Sequence, residues 1–209
     1  MKSYLLEQHR LSRYGDCYGL RTKINSNYFL DEIKEYNNSW TIVARSQPTN
    51  ERFYLDITSP DGSIGHGTVS DYNKINNTSL AVDEFNVFTN LYHKSLILQE
   101  SLSGFDGLGR SAVLKMNRGG YFPPHRDMRT PDYNLFRVII PLRNTGYPDS
   151  CLMLEDKVIS LEEGRFYYFN AAKMHSLFYM GIEPSYWILL NVITNENNLN
   201  YIEKSLQYS

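Results

Sequence analysis

Two histidines and an aspartate have the residue types and the spacing of a metal site. His125 and Asp127 lie two residues apart in the segment Tyr121-Phe-Pro-Pro-His-Arg-Asp127, and His175 follows fifty residues after His125. Two imidazoles and one carboxylate can bind one face of an Fe(II) ion and leave its other face open. In an extended segment, side chains at i and i+2 lie on the same face, so His125 and Asp127 could approach one ion together. His175 must then come from a different strand.

The same three ligands also fit a catalytic zinc site, and the composition does not decide between the two metals. A structural zinc site is not favoured, because Cys17 and Cys151 lie far apart and in no metal-binding spacing. A His-x-Asp tripeptide also occurs by chance. Its surroundings favour a metal site here, since it follows a Gly-Gly turn and two prolines, and His175 follows the aromatic segment 163–170.

The composition is that of an ordinary globular protein. The chain has 209 residues, of which 42% are hydrophobic and 21% charged, and we expect a single domain spanning 1–209. A formal net charge of -2 gives no basic field for a phosphate backbone, so we expect no nucleic-acid partner. The N-terminal residues form too short an apolar run for a signal peptide, and no window approaches about eighteen apolar residues. We therefore expect a cytoplasmic protein with no membrane partner; its oligomeric state is not indicated.

The first part of the chain, 1–108, is predicted to be rich in helices and loops. Apolar residues at helical spacing predict a helix over 27–36 and further helix within 83–102. Alternation over 40–44 predicts a strand. The polar stretch 46–79 predicts a long loop, of the kind that serves as a lid or a binding loop.

The part from 109 to 195 changes to short apolar runs separated by turn residues. Seven runs are predicted as strands, namely 110–116, 135–142, 151–154, 157–159, 166–169, 175–179 and 186–193. Many short strands at regular spacing indicate a sandwich or barrel, and a double-sheet jelly roll is one such arrangement. We therefore predict an α+β protein with a mainly β core, which carries the metal site, and with the N-terminal helices packed on one face.

The stretch from 110 to 192 resembles the Fe(II)- and 2-oxoglutarate-dependent oxygenases, most of all the aspartyl/asparaginyl β-hydroxylase group. The matching features are Gly119-Gly120 ahead of Pro124-His125-Arg-Asp127, the run 137–142, the segment from Glu163-Gly164 through Phe169-Asn170 to His175, and the closing strand 186–192.

This resemblance implies a double-stranded β-helix, a cupin-like jelly roll, whose catalytic iron is held by His125, Asp127 and His175. It also implies 2-oxoglutarate as co-substrate and hydroxylation of an amino acid or amino-acid side chain, in a small molecule or a peptide. O2 would be consumed, and succinate and CO2 released. Asp127 favours hydroxylation over halogenation, since halogenating relatives lack this carboxylate.

One position departs from the family pattern. The family usually has an arginine about ten residues after the distal histidine, where its fork binds the far carboxylate of 2-oxoglutarate. Here that place falls at Pro184-Ser185, and Ser185 can donate one hydrogen bond but no charge. We expect Arg137 to supply the cation, since it lies on the strand that follows the His-x-Asp turn. A rim or ion-pair role is the alternative for Arg137.

Other residues could contact the co-substrate. Lys115 and Arg165 are weaker candidates for the missing cation, and Asn170 could bond the co-substrate or orient a metal ligand. Because the usual arginine is absent, a jelly-roll module that binds a metal or a ligand without oxygenase turnover remains the alternative function.

Overall fold

The computed structural model describes residues 10–43, 51–127 and 134–206. The strands within them are β1 Cys17–Lys23, β2 Thr41–Ile42, β3 Arg52–Asp56, β4 Thr58–Ser59, β5 Val87–Phe88, β6 Ala112–Met116, β7 Tyr121–His125, β8 Leu135–Arg143, β9 Ser150–Leu154, β10 Lys157–Ile159, β11 Arg165–Phe169, β12 His175–Tyr179 and β13 Ser185–Ile193. The α-helices that lie entirely within them are α1 Ser26–Glu32, α2 Val69–Asn76, α3 Asn90–Lys94, α4 Leu96–Leu102 and α5 Glu196–Lys204. Short 3₁₀-helices cover Ile33–Tyr36 and Val82–Glu84.

Two antiparallel sheets carry most of these strands. The larger sheet has the order β1-β11-β8-β13-β6-β3-β2, and the smaller has the order β10-β9-β12-β7. From β6 to β13 the chain alternates between the sheets, apart from the β9–β10 hairpin within the smaller one. A buried cluster joins the facing sides of the two sheets and includes Leu114, Ile139, Leu152, Leu177 and Trp187. The predicted mainly β core is confirmed.

The opposite face of the larger sheet is covered by helices. Strand β8 is buried on both faces: Phe136, Val138 and Ile140 pack with the helices, whereas Arg137 and Ile139 point into the space between the sheets. Helices α1, α4 and α5 contribute to the outer cluster. The expected packing of N-terminal helices on one face is therefore observed, with α5 added from the C-terminal side. Among the described residues, no helix has both the length and the apolar character needed to cross a bilayer.

Most elements after residue 109 lie where the sequence pattern predicts them. All seven predicted strands are present, with bounds that differ by two residues or fewer. The predicted helix over 27–36 is α1 followed by a 3₁₀ turn. Strand β7 and helix α5 were not predicted as elements. The prolines at 123 and 124 mask β7, because proline lacks the N–H of a ladder strand and is tolerated only at a sheet edge, which is where β7 lies.

The first part of the chain contains more strand than predicted. The long loop predicted over 46–79 is wrong: its described residues contain β3, β4 and α2, and β3 pairs with β6 along its whole length. Strand β1, also not predicted, lies at the edge of the larger sheet beside β11. The helix predicted over 83–102 is interrupted by β5 and by Ser95, whose hydroxyl caps α4 by accepting from the Leu98 N–H. The strand predicted over 40–44 is the two-residue β2, and Ala44 lies outside the described residues.

Gly164 requires a backbone conformation that other residues avoid. Its φ is +78°, and an added Cβ would lie 2.6 Å from the carbonyl oxygen of Ile24. We expect Gly164→Ala to lower the free energy of unfolding by about 1–2 kcal/mol through the left-handed conformation alone, and by more through the clash. Urea denaturation measures this. Gly146→Ala is the matched control, since nothing lies within 4 Å of its Cβ, and an equal loss in both variants would contradict the interpretation.

Candidate metal centre

The pairing of β7 with β12 places the two predicted histidine ligands side by side. His125 and His175 are directly opposed in this antiparallel pair, and their ring centroids are 4.2 Å apart. The register shifts between His175 and Leu177. Such bulges re-aim side chains and are frequent next to active sites. Asp127 follows β7, where its backbone N–H donates to the Ala171 carbonyl at 2.9 Å.

All three side chains offer a ligand atom to one point. These atoms lie within 4.8 Å of one another. Nε2 of His125 is 3.6 Å from Oδ1 of Asp127, and Nε2 of His175 is 3.8 Å from Oδ2. Nitrogen and oxygen ligands lie about 2.0–2.2 Å from a bound transition metal, so atoms with this mutual spacing can share one ion. The residues therefore fit a metal ion bound by two imidazoles and one carboxylate.

Backbone carbonyl groups fix the tautomer of both imidazoles. Nδ1 of His125 is 2.6 Å from the carbonyl oxygen of Pro123, and Nδ1 of His175 is 2.9 Å from that of Lys173. Because a carbonyl oxygen only accepts, each Nδ1 carries a proton and each Nε2 keeps a lone pair for a metal. Burial lowers the pKa of His175 below its usual value, which favours the neutral imidazole that binds metals.

Arg137 joins this centre from β8. Its Nη2 donates to Oδ2 of Asp127 at 3.1 Å, and its side chain is 17% exposed. Its Nε is buried and has no hydrogen-bond partner among the described residues. A hydrogen bond to the outer side of a ligating carboxylate fixes the orientation of that ligand. The arginine that the sequence singled out thus lies beside the predicted metal ligands.

Two further predicted residues are placed elsewhere. Ser185 is fully buried, and its Oγ accepts from the indole N–H of Trp187 at 2.9 Å. Asn170 donates from Nδ2 to Oδ1 of Asp16 at 2.7 Å. Neither residue lines the cavity beside the metal ligands. Ser185 is engaged by Trp187 and Asn170 by Asp16, and contact of either residue with a co-substrate stays a prediction.

The cations at 115 and 165 do not line the cavity beside the metal ligands either. On β6, Leu114 lines the cavity, whereas Lys115 points to the opposite face and lies over the rings of Trp40 and Phe53 at 4.8 and 4.9 Å. Arg165 forms an ion pair with Glu162 at 3.0 Å. Because successive side chains of a strand alternate between faces, Lys115 cannot turn inward without displacing its neighbours.

A cavity of about 800 Å³ opens beside the three ligands. Its walls come from both sheets and are mainly apolar, with Trp187, Ile139 and Leu177 among them, and Arg137 and Asn191 add polar groups. Asn191 was not predicted as a site residue from the sequence. The available signal was a single amide in the otherwise apolar run of 187–193. Asn191 lies two residues after Leu189, so both side chains are on the same face of β13.

No family model matches the chain, and no curated protein matches it. Solved structures do match. A prolyl hydroxylase from Trichoplax adhaerens, in complex with a hypoxia inducible factor oxygen degradation domain peptide fragment, aligns with a TM-score of 0.51 and 15% identity, over 99% of this chain and 98% of its own. A Pseudomonas putida prolyl-4-hydroxylase has a TM-score of 0.48 and 11% identity, over 86% of this chain and 93% of its own. A 2OG-Fe(II) oxygenase family oxidoreductase from Burkholderia pseudomallei has a TM-score of 0.40 and 11% identity, over 80% and 90%. The Trichoplax structure shows that the chain shares the fold of that hydroxylase along nearly its whole length.

Removal of either imidazole should weaken metal binding. Loss of a residue that only supports a ligand typically lowers metal affinity 10- to 100-fold, so we expect His125→Ala and His175→Ala to lower Fe(II) affinity by about 100-fold or more. Anaerobic titration of Fe(II) against a competing chelator measures this. His93→Ala, on α3 and outside the cavity lining, is the control and should bind Fe(II) like the unaltered protein. Unchanged affinity in both ligand variants would show that the ion binds elsewhere.

Proposed function

We propose that the chain is a non-haem Fe(II)- and 2-oxoglutarate-dependent oxygenase that hydroxylates an amino acid or an amino-acid side chain and releases succinate and CO2. The proposal includes a double-stranded β-helix as the scaffold and a relationship to the aspartyl/asparaginyl β-hydroxylase group. The observation that carries it is the convergence of three ligand atoms, two Nε2 and one carboxylate, within 4.8 Å of one another beside a large cavity.

The donor set supports iron. Two imidazoles and one carboxylate, with open positions on the other side, suit Fe(II) in oxygenases. His125 and Asp127 are about one-third exposed, at 31% and 32%, so the metal would be reachable from the cavity. Bound Fe(II) and 2-oxoglutarate would supply the chemistry that transfers one atom of O2 to a C–H bond of the substrate and the other to succinate.

Arg137 supports the choice of 2-oxoglutarate. A guanidinium group has five N–H donors, and among the described residues the bond of Arg137 on the centre side is the one from Nη2 to Asp127. The remaining donors suit the planar carboxylate at the far end of 2-oxoglutarate, which arginine binds bidentately. Arg137 would thus both orient the Asp127 carboxylate and bind the co-substrate.

The cavity supports a second occupant. Its volume of about 800 Å³ lies near the upper end of small-molecule sites, which typically measure about 300–1,000 Å³. Space therefore remains for one amino-acid unit beside 2-oxoglutarate. The apolar wall around Trp187 and Leu177 would keep water from the reacting groups. The Trichoplax hydroxylase is in complex with a peptide fragment. A residue within a peptide is therefore a candidate substrate here, as is a free amino acid.

Two measurements test the activity. Under anaerobic conditions, protein with Fe(II) and 2-oxoglutarate should show the visible charge-transfer absorption of the chelate. In air, succinate should form in proportion to Fe(II), and candidate amino acids and peptides should gain one oxygen atom by mass spectrometry. Bound metal without the absorption band would instead identify a metal-binding module without turnover.

Arg137→Ala should weaken 2-oxoglutarate binding. Hydrogen bonds to charged groups contribute about 1.5–3 kcal/mol, so we expect the KM for 2-oxoglutarate to rise by about 10- to 100-fold. Fe(II) affinity is measured in parallel, because displacement of Asp127 would lower it, whereas loss of the co-substrate contact alone would leave it unchanged. Arg143→Ala is the matched control, because Arg143 lies on the same strand and bonds Asn27 at the surface. Equal KM values in the Arg137 variant and the unaltered protein would exclude this role.

A further inference from the structure

Asn191 holds its side-chain amide in one fixed orientation. The residue lies on β13, is 5% exposed and lines the cavity. Its Nδ2 donates to the backbone carbonyl of Arg110. Because a carbonyl oxygen only accepts, Oδ1 cannot take this place. The backbone of Asn191 is held as well, since its N–H donates to Ser111 Oγ at 3.2 Å and its carbonyl accepts from Gly109 N–H at 2.7 Å.

Oδ1 of Asn191 is left without a partner. It is buried, and no donor within the described part of the chain reaches it. Buried polar atoms are nearly always hydrogen-bonded, because an unpaired one has lost its water without replacement. An apolar side chain at this position would avoid that loss. A buried acceptor in the wall of a large cavity therefore indicates a ligand that donates to it.

The position of Asn191 ties it to the metal centre. It is directly opposed to Arg137 in the β8–β13 pair, where Cα atoms of antiparallel strands lie about 4.5–5.5 Å apart. From there the Arg137 side chain extends to Oδ2 of Asp127 at 3.1 Å. Arg137 Nε is also buried without a partner among the described residues. Arg137, the cross-strand neighbour of Asn191, thus contacts one of the residues that would hold the metal.

The co-substrate cannot be the donor. At neutral pH, 2-oxoglutarate has two carboxylates and a ketone, all of which only accept hydrogen bonds. Its placement against Oδ1 would bring acceptors together. The donor must belong to the other occupant of the cavity, which the proposed function takes to be an amino-acid unit, and every amino-acid unit other than a proline residue within a chain carries an N–H group.

We propose that Oδ1 of Asn191 accepts a hydrogen bond from an N–H group of the substrate and positions it beside the metal centre. The N–H group is the α-ammonium of a free amino acid or the backbone amide of a peptide residue. This inference rests on the proposed function, because it assigns Arg137 to the co-substrate and Asn191 to the substrate. On this proposal, Asn191 binds and orients the substrate and takes no part in proton transfer.

The test uses the protein loaded anaerobically with Fe(II) and 2-oxoglutarate, titrated by calorimetry. The probes are the free L-amino acids, their N-acetyl methylamides, and the des-amino acids that keep each side chain but lack the N–H group. Asn191→Leu should weaken binding of the N–H probe about tenfold or more, as expected for a buried hydrogen bond to a charged donor. Its affinity for 2-oxoglutarate should change by less than about twofold. The des-amino counterpart should bind both proteins equally.

Two further variants separate the acceptor from packing. Asn191→Asp keeps an oxygen acceptor but loses the donor to Arg110, and it should restore binding of an ammonium probe. Thr194→Val removes another buried oxygen without a described partner, Oγ1 of Thr194, which does not line the cavity. It should bind every probe like the unaltered protein. Circular dichroism verifies that each variant is folded.

The outcomes distinguish the two proposals. Two results would overturn the inference while a normal chelate band leaves the oxygenase proposal standing. In the first, the unaltered protein binds none of the N–H probes. In the second, Asn191→Leu binds them with the same affinity as the unaltered protein. Absence of the band in the unaltered protein would overturn the proposed function itself. If Asn191→Leu does not fold, the test uses a folded Asn191→Asp variant instead. Loss of ammonium-probe binding in that variant would overturn the inference.

Discussion

The register between β7 and β12 is the constraint on which the candidate site depends. Side chains of a strand alternate between faces, so a slip of one residue would turn His125 away from His175 and toward solvent. Strand β12 is held on both sides, because it pairs with β9 as well as with β7, and Leu177 is buried between the sheets. The relative orientation of His125 and His175 therefore depends on this pairing.

Strand β7 is the weaker member of the pair, since it lies at the edge of its sheet and contains two prolines that cannot donate. Backbone bonds at both ends compensate. At one end, Gly119 N–H donates to the Tyr179 carbonyl at 2.9 Å and Tyr179 N–H donates to the Gly120 carbonyl at 3.0 Å. At the other, Asp127 N–H donates to the Ala171 carbonyl at 2.9 Å. These bonds fix the ends of the proline segment and oppose a shift in register, so its two missing donors do not loosen the candidate metal ligands.

The candidate ligands could be predicted from the sequence because residue type and the spacing of His125 and Asp127 are local properties. His125 and Asp127 need only an extended segment to share a face, whereas the contribution of His175 depends on a pairing that the chain reveals only when folded. Lys115 illustrates the limit. Strand β6 is buried on both faces, so an alternating pattern does not indicate which face meets the cavity. Strands β3 and β1 were missed for another reason, since their hydrogen bonds come from distant strands and leave no local signal.

The energetics of burial explain why the cation near the candidate site is Arg137 on β8 and not a residue at the start of β13. The inward positions at the start of β13 are Ser185 and Trp187, which bond each other and fill the space between the sheets. A guanidinium there would be buried among apolar groups and would need an anion at all times. Arg137 instead has Asp127 as a permanent partner, so its charge is offset whether or not a second anion is present. On the proposed function, the same contact keeps the ligand carboxylate oriented before the co-substrate arrives, and little reorganisation is then required when it binds.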